Sequence, residues 1–409
     1  MPCRLDPAPT PLAPSMPLPG PLAWIDGSLQ QLAAAGLQRE IRVRSGRQGR
    51  SVELDGRQLL NFGSNDYLGL AGDVRLTRAC SKGSCAEGFG AGASPLVSGQ
   101  SQAHRALELA IARLLEVDAA LTFPSGFAAN AATIPALVGE GDLIASDARN
   151  HASIIDGCRL SKARLIVYAH RDMADLEARL ASAGPARRTL IVTDSLFSMD
   201  GTIAPLADLC DIARRHQAML MVDEAHATGV FGERGSGLVE AAGCSDGVHI
   251  RVGTLSKALG TAGGFVAGHV SLIRWLSHAA RAWVFSTAHP PGVAAAATRA
   301  IGLLHEEPFR RTELLTKAGA FRGRLQELGR ATHACVASDL ASQIVPVIIG
   351  EPGRAVAAAD ALLQAGFFVA AIRPPSVPDG ESLLRISLAW HHTDEDLSRL
   401  SDTLEQVLA

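Results

Sequence analysis

The sequence predicts an α/β protein with a large, mostly parallel sheet domain followed by a smaller α+β domain. Short apolar runs alternate with helical stretches through the middle of the chain, without the polar alternation of a half-exposed sheet. A second set of strands follows a helix-rich stretch that begins near Ile301. The chain has 409 residues, of which 47% are hydrophobic and 19% charged, so it is long enough to bury a large core.

The composition excludes several classes of protein. The hydrophobic content excludes disorder for most of the chain, and a formal net charge of -3 leaves no basic surplus for binding nucleic acid. No run of about 18 uncharged apolar residues is present, so we expect no membrane span. The seven scattered cysteines have neither CxxC pairs nor metal-ligand spacing, which predicts reduced thiols in a cytoplasmic protein and no metal site.

The first part of the chain differs from the rest. Residues 1–22 are rich in proline and alanine and lack a basic segment followed by an apolar one. We therefore expect a flexible extension there rather than a secretion signal. Residues 23–62 predict a helix that begins at Trp24 and then a hairpin from Ser51 to Leu60.

Residues 63–300 are predicted to form the large domain. We expect a Gly- and Ser-rich loop from Gly83 to Gly99, and we expect Ser101 to cap the helix that follows. The apolar runs that predict buried strands are Ala119 to Phe123, Arg164 to Tyr168, Thr189 to Thr193, Met219 to Val222, Val248 to Gly253 and Gly264 to Ala267.

Residues 301–409 are predicted to form the smaller α+β domain. We expect its strands at Ile344 to Ile349, Phe367 to Ile372 and Leu383 to Leu388. The last helix is expected to be capped by Thr393, with Asp396 at the N3 position of a capping box.

One lysine is placed for chemistry. Only four of the 38 basic residues are lysines, and Lys257 alone follows a predicted buried strand, in Thr254-Leu255-Ser256-Lys257. Desolvation among small residues would lower the pKa of its ammonium group and free the amine to form a Schiff base. A surface lysine in a glycine-rich turn explains this segment equally well by itself.

An acidic residue ends another predicted strand. Asp223 follows the apolar run Met219 to Val222, which places its carboxylate at the carboxyl edge of the sheet, where open α/β folds bind ligands. Pyridoxal phosphate needs such an anion beside its pyridine nitrogen, which the anion keeps protonated. A metal-binding acid or a helix N-cap would explain Asp223 alone, but Asp223 and Lys257 together favour the cofactor.

Two further segments contribute to the same predicted edge. Gly126 and Phe127 follow a predicted strand and open a helix, whose first N–H groups can bind a phosphate. His151 lies in a polar loop, where a histidine can stack on a cofactor ring or donate a proton. A common strand–helix turn and a surface histidine are the plain alternatives, so only the whole set of residues favours a site.

Five segments together resemble the α-oxoamine synthases. They are Asn61 to Leu70, Ser94 to Gly99, Phe197 to Gly201, Asp223 to Gly229 and Gly253 to Lys257. The resemblance extends, in order and at the family's spacing, from about Trp24 to the C-terminus. These enzymes are pyridoxal phosphate enzymes of fold type I, the aspartate aminotransferase-like fold, and they condense an amino acid with an acyl thioester and release carbon dioxide. The resemblance therefore implies this fold, this cofactor and this reaction.

The resemblance also implies catalytic roles for four residues. Lys257 would hold the cofactor and later remove the amino acid's α-proton, while Asp223 would pair with the pyridine nitrogen. His151 would stack on the cofactor ring and protonate the oxygen derived from the thioester. His226, together with Ser198, would hydrogen-bond the oxygen on the ring.

Other residues implied by the resemblance bind phosphate or substrate. The phosphate ligands would be Gly126, Phe127, Thr254, Ser286 and Thr287, the last two reaching the site of a neighbouring subunit, because the family's sites are shared in a homodimer. The substrate ligands would be Arg385, Asn65, Arg39 and Arg373. Arg385 matches the arginine that binds the amino acid's carboxylate, a bidentate task suited to guanidinium. Arg39 and Arg373 would face the acyl substrate or its distal carboxylate.

One segment predicts the substrates. Ala371 to Pro378 most resembles the biotin-pathway branch, which joins L-alanine to a pimeloyl thioester of coenzyme A or of a carrier protein. A relative that uses glycine and an acetyl thioester, or another acyl-amino-ketone synthase, stays an alternative, because about 1.4 kcal/mol produces a tenfold preference. A binding protein without pyridoxal phosphate is the alternative of a different class. Asp194 and Ala93 stand where Glu and Gly are common in the family.

Overall fold

The structure, a computed structural model, describes residues 20–327 and 342–408. Most of the predicted N-terminal extension, residues 1–22, therefore lies outside the described residues, as do Cys3 and Cys335. The five cysteines within the described residues are all free thiols. None of the helices in the described part of the chain combines the length and the hydrophobicity needed to cross a membrane.

The helices and strands are numbered in chain order. The strands are β1 (Arg44–Ser45), β2 (Ser51–Leu54), β3 (Arg57–Asn61), β4 (Ala119–Phe123), β5 (Leu143–Asp147), β6 (Arg164–Tyr168), β7 (Thr189–Asp194), β8 (Met219–Asp223), β9 (Ile250–Thr254), β10 (Gly264–Gly268), β11 (Ile344–Gly350), β12 (Phe367–Phe368), β13 (Ala370–Ile372) and β14 (Ser382–Ser387). The helices are α1 (Trp24–Ala34), α2 (Val74–Glu87), α3 (Gln102–Leu115), α4 (Gly126–Leu137), α5 (Ala152–Ser161), α6 (Met173–Ser182), α7 (Leu206–Arg215), α8 (Leu238–Ala241), α9 (Val270–Ala279), α10 (Arg281–Val284), α11 (Pro291–Glu306), α12 (Phe309–Glu327), α13 (Pro352–Gln364) and α14 (Asp394–Leu408).

The largest sheet has seven strands in the order β4-β10-β9-β8-β7-β5-β6. The strands β6, β5, β7, β8 and β9 are parallel, and β10 is antiparallel to both β9 and β4. Successive residues of β7 alternate between two hydrophobic clusters, since Ile191 belongs to one cluster and Leu190 and Val192 to the other. The sheet is therefore covered on both faces, as the sequence predicts.

The predicted strands of this sheet are confirmed, with ends that differ by one or two residues. β4 and β6 match the prediction residue for residue, and β9 begins and ends further along the chain, reaching Thr254. β5 was not predicted, because Ser146 and Asp147 interrupt its apolar pattern. All five of its residues are nevertheless buried between β6 and β7. Tertiary packing, rather than local pattern, places this strand.

The predicted loop from Gly83 to Gly99 is wrong at its start, because α2 continues to Glu87. Gly83 lies where α2 packs on α11. A Cβ atom added to it would come within 2.7 Å of Ala295 Cβ and 3.2 Å of Gly292 Cα. Glycine here allows two helices to approach closely and does not break the helix. Ser101 precedes α3 as predicted, and its N–H donates to His104 Nδ1 at 3.1 Å.

The N-terminal segment forms the predicted helix and hairpin. β2 and β3 pair around Asp55 and Gly56, whose positive φ angles of 51° and 78° are typical of a tight hairpin turn. α1 begins at Trp24, but its Leu29 and Leu32 side chains are exposed on the surface of the described chain. β1, β2, β3 and the distant β12 together form one four-stranded sheet.

The C-terminal strands belong to two different sheets. β11, β14 and β13 form an antiparallel sheet, whereas β12 pairs in parallel with β3. The single strand predicted from Phe367 to Ile372 is therefore wrong, because the chain changes sheet at Val369. The predicted capping box is confirmed, since the N–H of Thr393 donates to Asp396 Oδ2 at 2.8 Å and the N–H of Asp396 donates to Thr393 Oγ1 at 3.2 Å.

Candidate active site

The predicted residues meet where the parallel strands of the large sheet end. His151 follows β5, Asp194 ends β7, Asp223 ends β8, and Lys257 lies three residues beyond β9. The carboxyl ends of parallel strands lie at one edge of a sheet, where open α/β folds bind ligands. The topology thereby collects groups that lie up to 106 residues apart in the chain, from His151 to Lys257.

The reactive amine at this edge of the sheet belongs to Lys257. Its Nζ lies 2.7 Å from His226 Nε2. Burial lowers the pKa of Lys257 to about 8, and the positive charge of Arg385 acts in the same direction, while the carboxylates of Asp223 and Asp194 oppose it. The amine is therefore much easier to deprotonate than that of an ordinary lysine.

His226 connects Lys257 to the interior. The Tyr67 hydroxyl lies 2.6 Å from His226 Nδ1, and Gln343 Nε2 donates to the His226 carbonyl oxygen at 2.7 Å. Burial holds the pKa of His226 well below its ordinary value, and the charges of Lys257 and Arg385 lower it further. His226 is therefore a neutral ring that accepts or donates hydrogen bonds without adding charge.

Two carboxyl groups, close enough to Lys257 to affect its pKa, lie side by side at the ends of neighbouring strands. Asp194 and Asp223 are opposite each other on β7 and β8. Burial, followed by the charge of Asp223, raises the pKa of Asp194 well above its ordinary value. Asp223 accepts hydrogen bonds from Asn130 Nδ2 at 2.6 Å and from the N–H of Ala225 at 2.8 Å. Burial therefore disfavours the ionised form of Asp194, while two N–H donors point at the Asp223 carboxyl group.

His151 is held by the same network. Asn130 Nδ2 donates to Ser153 Oγ at 2.9 Å, and Ser153 Oγ lies 2.7 Å from His151 Nδ1. The N–H of Ser153 also donates to Nδ1, and the N–H of His151 donates to Asp194 Oδ2 at 2.7 Å. Burial lowers the pKa of His151, so the ring is neutral and its proton lies on Nε2.

The first turn of α4 presents backbone N–H groups that can donate hydrogen bonds to a phosphate. The Ser125 side chain caps this helix by accepting from the N–H of Ala128 at 3.0 Å, and the N–H groups of Gly126 and Phe127 have no intrahelical acceptor. A Cβ atom on Gly126 would lie 3.4 Å from Thr254 Cβ, which places the start of α4 directly beside Thr254. The Thr254 hydroxyl adds a polar group to this space.

These residues fit pyridoxal phosphate at three points. Lys257 supplies an amine for its aldehyde, Asp223 supplies an anion for its ring nitrogen, and the start of α4 supplies N–H donors for its phosphate. No three His, Cys, Asp or Glu side chains within residues 20–327 and 342–408 are arranged to hold a metal ion.

Arg385 extends the site towards the C-terminal strands. It is buried in β14, and its Nη1 donates to Asn65 Oδ1 at 3.0 Å and to Ser387 Oγ at 2.6 Å. Its Nη2 donates to the Tyr67 hydroxyl at 3.3 Å, and its Nε donates to the Ser198 carbonyl oxygen. Arg385, Asn65 and Ser198 are thus joined through Tyr67 to the Lys257 centre.

Four predicted residues lie apart from this centre. Arg39 and Arg373 line a separate cavity of about 360 Å³, where Arg373 donates to the carbonyl oxygens of Gly36 and Gln38. Ser286 and Thr287 line a narrow cleft beside the end of β4. Among the contacts of the described residues, none joins these four side chains to Lys257.

Sequence reasoning missed three residues of the site. Tyr67 lies in the segment Asn61 to Leu70, and Asn130 lies in the helix that Gly126 opens, but their partners are distant in the chain and only tertiary structure shows them. In the sequence, Asp194 differs from its surroundings only as a departure from the family pattern. Its position beside Asp223 depends on the pairing of β7 with β8.

Known proteins resemble the chain over nearly its whole length. Residues 57–404 match the model of the family described as aminotransferase class I and II. An 8-amino-7-oxononanoate synthase of Anaeromyxobacter sp. (strain Fw109-5) is 50% identical over 388 residues, which cover 95% of this chain and 96% of that relative.

Two solved structures extend this comparison. A serine palmitoyltransferase from S. paucimobilis, with a bound PLP–myriocin aldimine, has a TM-score of 0.88 and 30% identity over 95% of this chain and 97% of its own. An 8-amino-7-oxononanoate synthase from Francisella tularensis has a TM-score of 0.74 and 27% identity, covering 86% of this chain and 98% of its own.

Proposed function

Since this chain belongs to the aminotransferase class I and II family, and within it to the 8-amino-7-oxononanoate synthases, we propose that it joins L-alanine to a pimeloyl thioester. The products are 8-amino-7-oxononanoate, carbon dioxide and the free thiol, in a step of biotin biosynthesis. The resemblance and the fold class predicted from the sequence are both confirmed. The protein is an acyltransferase, and its cofactor is pyridoxal phosphate.

One observation carries the proposal. The Lys257 amine has a pKa of about 8 and lies 2.7 Å from neutral His226, at the edge of the sheet where Asp223 supplies a carboxylate. An amine of this kind bonds an aldehyde and exchanges a proton near neutral pH. A solvated surface lysine has neither property.

The chain's residues divide the work of holding the cofactor. Lys257 would bond its aldehyde carbon, and Asp223 would pair with its ring nitrogen. His151 would stack on its ring, and His226 with Ser198 would hydrogen-bond its ring oxygen. Gly126, Phe127 and Thr254 would hold the phosphate, with Ser286 and Thr287 contributed across the dimer. When bound, pyridoxal phosphate supplies an electron sink that stabilises negative charge on the Cα of the amino acid.

Two side chains bind and deprotonate the amino acid, Arg385 as a cation and Lys257 as a neutral amine. Arg385 binds the alanine carboxylate with its guanidinium group, whose neighbours Asn65 and Tyr67 hold its orientation. Lys257 Nζ, once released, removes the proton from alanine Cα. Lys257 can accept this proton near neutral pH because burial has lowered its pKa.

Other residues bind the acyl donor and assist its cleavage. A bond forms between alanine Cα and the thioester carbonyl carbon, the bond from that carbon to sulfur breaks, and the thiol takes up a proton. The bond from Cα to the alanine carboxylate then breaks to release carbon dioxide, and Cα takes up a proton in its place, which returns the proton that Lys257 removed. His151 supplies a proton to the acyl oxygen, and Arg39 and Arg373 bind the distal carboxylate of the pimeloyl chain.

We also propose that the enzyme is a homodimer with shared sites. Large apolar side chains are exposed on the described chain, among them Phe89, Val97 and Phe285. Exposed apolar patches of this kind mark surfaces that another chain covers. Phe285 immediately precedes Ser286 and Thr287, which supports their contribution to the partner's site.

The free thiols of the described cysteines support a reducing, cytoplasmic location.

Thiol release tests the substrates. The enzyme, supplied with pyridoxal phosphate, is incubated with pimeloyl-coenzyme A and L-alanine, and in parallel with acetyl-coenzyme A and glycine. We expect thiol release with the first pair at least tenfold faster than with the second, a preference worth about 1.4 kcal/mol. Release with the second pair alone would keep the cofactor chemistry and overturn the substrates. A third incubation, with the pimeloyl thioester of a carrier protein and L-alanine, tests whether a carrier protein is the acyl donor in place of coenzyme A.

A further inference from the structure

Arg149 lies at the edge of the site and has no role in the reaction described above. It follows β5 and precedes His151 by two residues. Its Nη1 pairs with Asp200 Oδ2 at 2.8 Å, and its Nη2 pairs with Glu381 Oε2 at 2.9 Å. The two nitrogens of one guanidinium group therefore join two acids that are 181 residues apart in the chain.

The Asp200 end of this link is rigid. Asp200 is buried and accepts from Thr202 Oγ1 at 2.7 Å, and His170 Nε2 lies 2.9 Å from the same hydroxyl. Burial acts to raise the pKa of Asp200, but hydrogen bonds from Thr202 and Arg149 hold it below its ordinary value. Asp200 is thus an ionised anchor on the loop that carries Ser198.

The Glu381 end belongs to the segment formed by residues 373–381, which connects β13 to β14. This segment begins with Arg373, the proposed ligand of the acyl donor's distal carboxylate. It ends at Glu381, directly before β14, the strand that contains Arg385. Arg373 itself is bonded to the carbonyl oxygens of Gly36 and Gln38 in the N-terminal segment. The 373–381 segment is therefore held at its first residue by the N-terminal segment and at its last by Arg149.

We propose that Arg149 is a positioning residue for the acyl donor. By joining Asp200 to Glu381, it holds the 373–381 segment against the loop that carries Ser198, and so fixes Arg373 relative to Lys257. This inference rests on the proposed function for its effect on substrate binding. The geometric part, that Arg149 and Glu381 hold the segment in place, stands on the contacts alone.

The expected effect is selective and moderate. The side chains of Arg149 and Glu381 are 30% and 36% exposed, and ion pairs that water reaches contribute little individually. We expect Arg149→Gln and Glu381→Gln each to raise the KM for the pimeloyl thioester about three- to tenfold. The KM for L-alanine and kcat should change less than about twofold, because Arg385 and Lys257 are held by other contacts.

Two comparisons separate positioning from a general loss of structure. If both variants break one link, Glu381→Gln adds nothing to Arg149→Gln in the double variant. Arg187→Gln is the matched control, since Arg187 pairs with buried Asp142 beside the opposite end of β5, at 2.9 Å. This control should leave both KM values unchanged. Equal changes in all kinetic constants, or additive effects in the double variant, would overturn the proposal.

A second measurement does not depend on turnover. Amide hydrogen exchange of residues 373–381 should become faster in Arg149→Gln and in Glu381→Gln, and should stay as in the parent in Arg187→Gln. If the parent enzyme fails to turn over the pimeloyl thioester, the proposed function fails while the exchange experiment still tests the link. Unchanged exchange in both link variants would overturn the positioning role.

Discussion

Lys257 differs from an ordinary lysine because of where β9 ends. The strand is buried along its whole length, and Lys257 just beyond it is half-buried among the buried residues Leu255, Ala258 and Leu259. There the cost of burying an ammonium ion exceeds the attraction of two carboxylates, and the pKa falls to about 8. Burial and not a single charged neighbour therefore makes this amine reactive.

The pKa of Lys257 predicts how the protein takes up its cofactor. The neutral amine is the nucleophile, so the rate at which the cofactor-free enzyme captures pyridoxal phosphate should rise with pH and level off above about 8. The growth of visible absorbance after mixing measures this rate between pH 6 and 9, a range set by that pKa.

Lysine variants provide the controls for this experiment. Lys257→Ala should show neither capture nor turnover while it keeps its thermal midpoint, and Lys82→Ala, on exposed α2, should behave as the parent. A capture rate that does not change over this pH range would contradict the lowered pKa. Turnover by Lys257→Ala near the parent rate would contradict its role.

Single residues were predictable where the local pattern carried the signal. Asp223 and Lys257 each follow an apolar strand, so their place at the carboxyl edge could be derived from the sequence. The contact of Tyr67 with His226 joins residues 159 positions apart, and no local pattern encodes it. Asp194 likewise becomes part of the site only through strand pairing.

At the scale of elements, prediction succeeded where the hydrophobic period was clear and failed where tertiary contacts override it. β5 ends in Ser146 and Asp147 and reads as polar, yet the neighbouring strands bury it completely. The run from Phe367 to Ile372 reads as one strand, but its two halves pair with different sheets. Gly83 reads as a helix breaker, but it is a contact point between α2 and α11.

The α2–α11 contact predicts a difference between two glycine substitutions. Gly83→Ala places a Cβ atom 2.7 Å from Ala295 Cβ, and the overpacking should lower the free energy of unfolding by about 1–3 kcal/mol. Gly323→Ala in α12 meets no atom within 4 Å and should raise it by about 0.5–1 kcal/mol. Chemical denaturation of both variants measures the difference, and a Gly83→Ala variant as stable as Gly323→Ala would contradict the close packing.

At the scale of the whole molecule, buried neutral histidines connect stability to pH. The His392 ring stacks on the Phe62 ring, with 4.1 Å between the two ring centroids. Its Nε2 donates to the Asn61 carbonyl oxygen, and its Nδ1 accepts from the N–H of Ala389. Burial lowers the pKa of His392 to about 3 and that of His391 to about 4. Both rings therefore stay neutral in the folded protein at pH values where they are protonated in the unfolded chain.

This difference predicts loss of stability in mild acid. Between about pH 4 and 6.5 the unfolded chain binds more protons at these two histidines than the folded protein does, so stability is present above pH 6.5 and decreases below it. Each such proton contributes up to about 1.4 kcal/mol per pH unit. Asp66, whose pKa burial raises to about 6, acts in the opposite direction with one proton.

The midpoint of thermal unfolding measures the net effect. It should fall steadily as the pH is lowered from 7 to 5, because six histidines of the described residues have lowered pKa values and only three carboxyl groups, those of Asp66, Glu108 and Asp194, have raised ones. A midpoint that stays constant or rises over this range would contradict the account of buried neutral rings.

The whole molecule serves one reaction, in which carbon–carbon bond formation is linked to loss of the alanine carboxyl group. The most direct test supplies carboxyl-labelled L-alanine with pimeloyl-coenzyme A and measures labelled carbon dioxide and free thiol together. We predict that the two are released in equal amounts, and that Lys257→Ala releases neither. Thiol without carbon dioxide would indicate plain thioester hydrolysis, and carbon dioxide without thiol would indicate a decarboxylase, and either result would contradict the account.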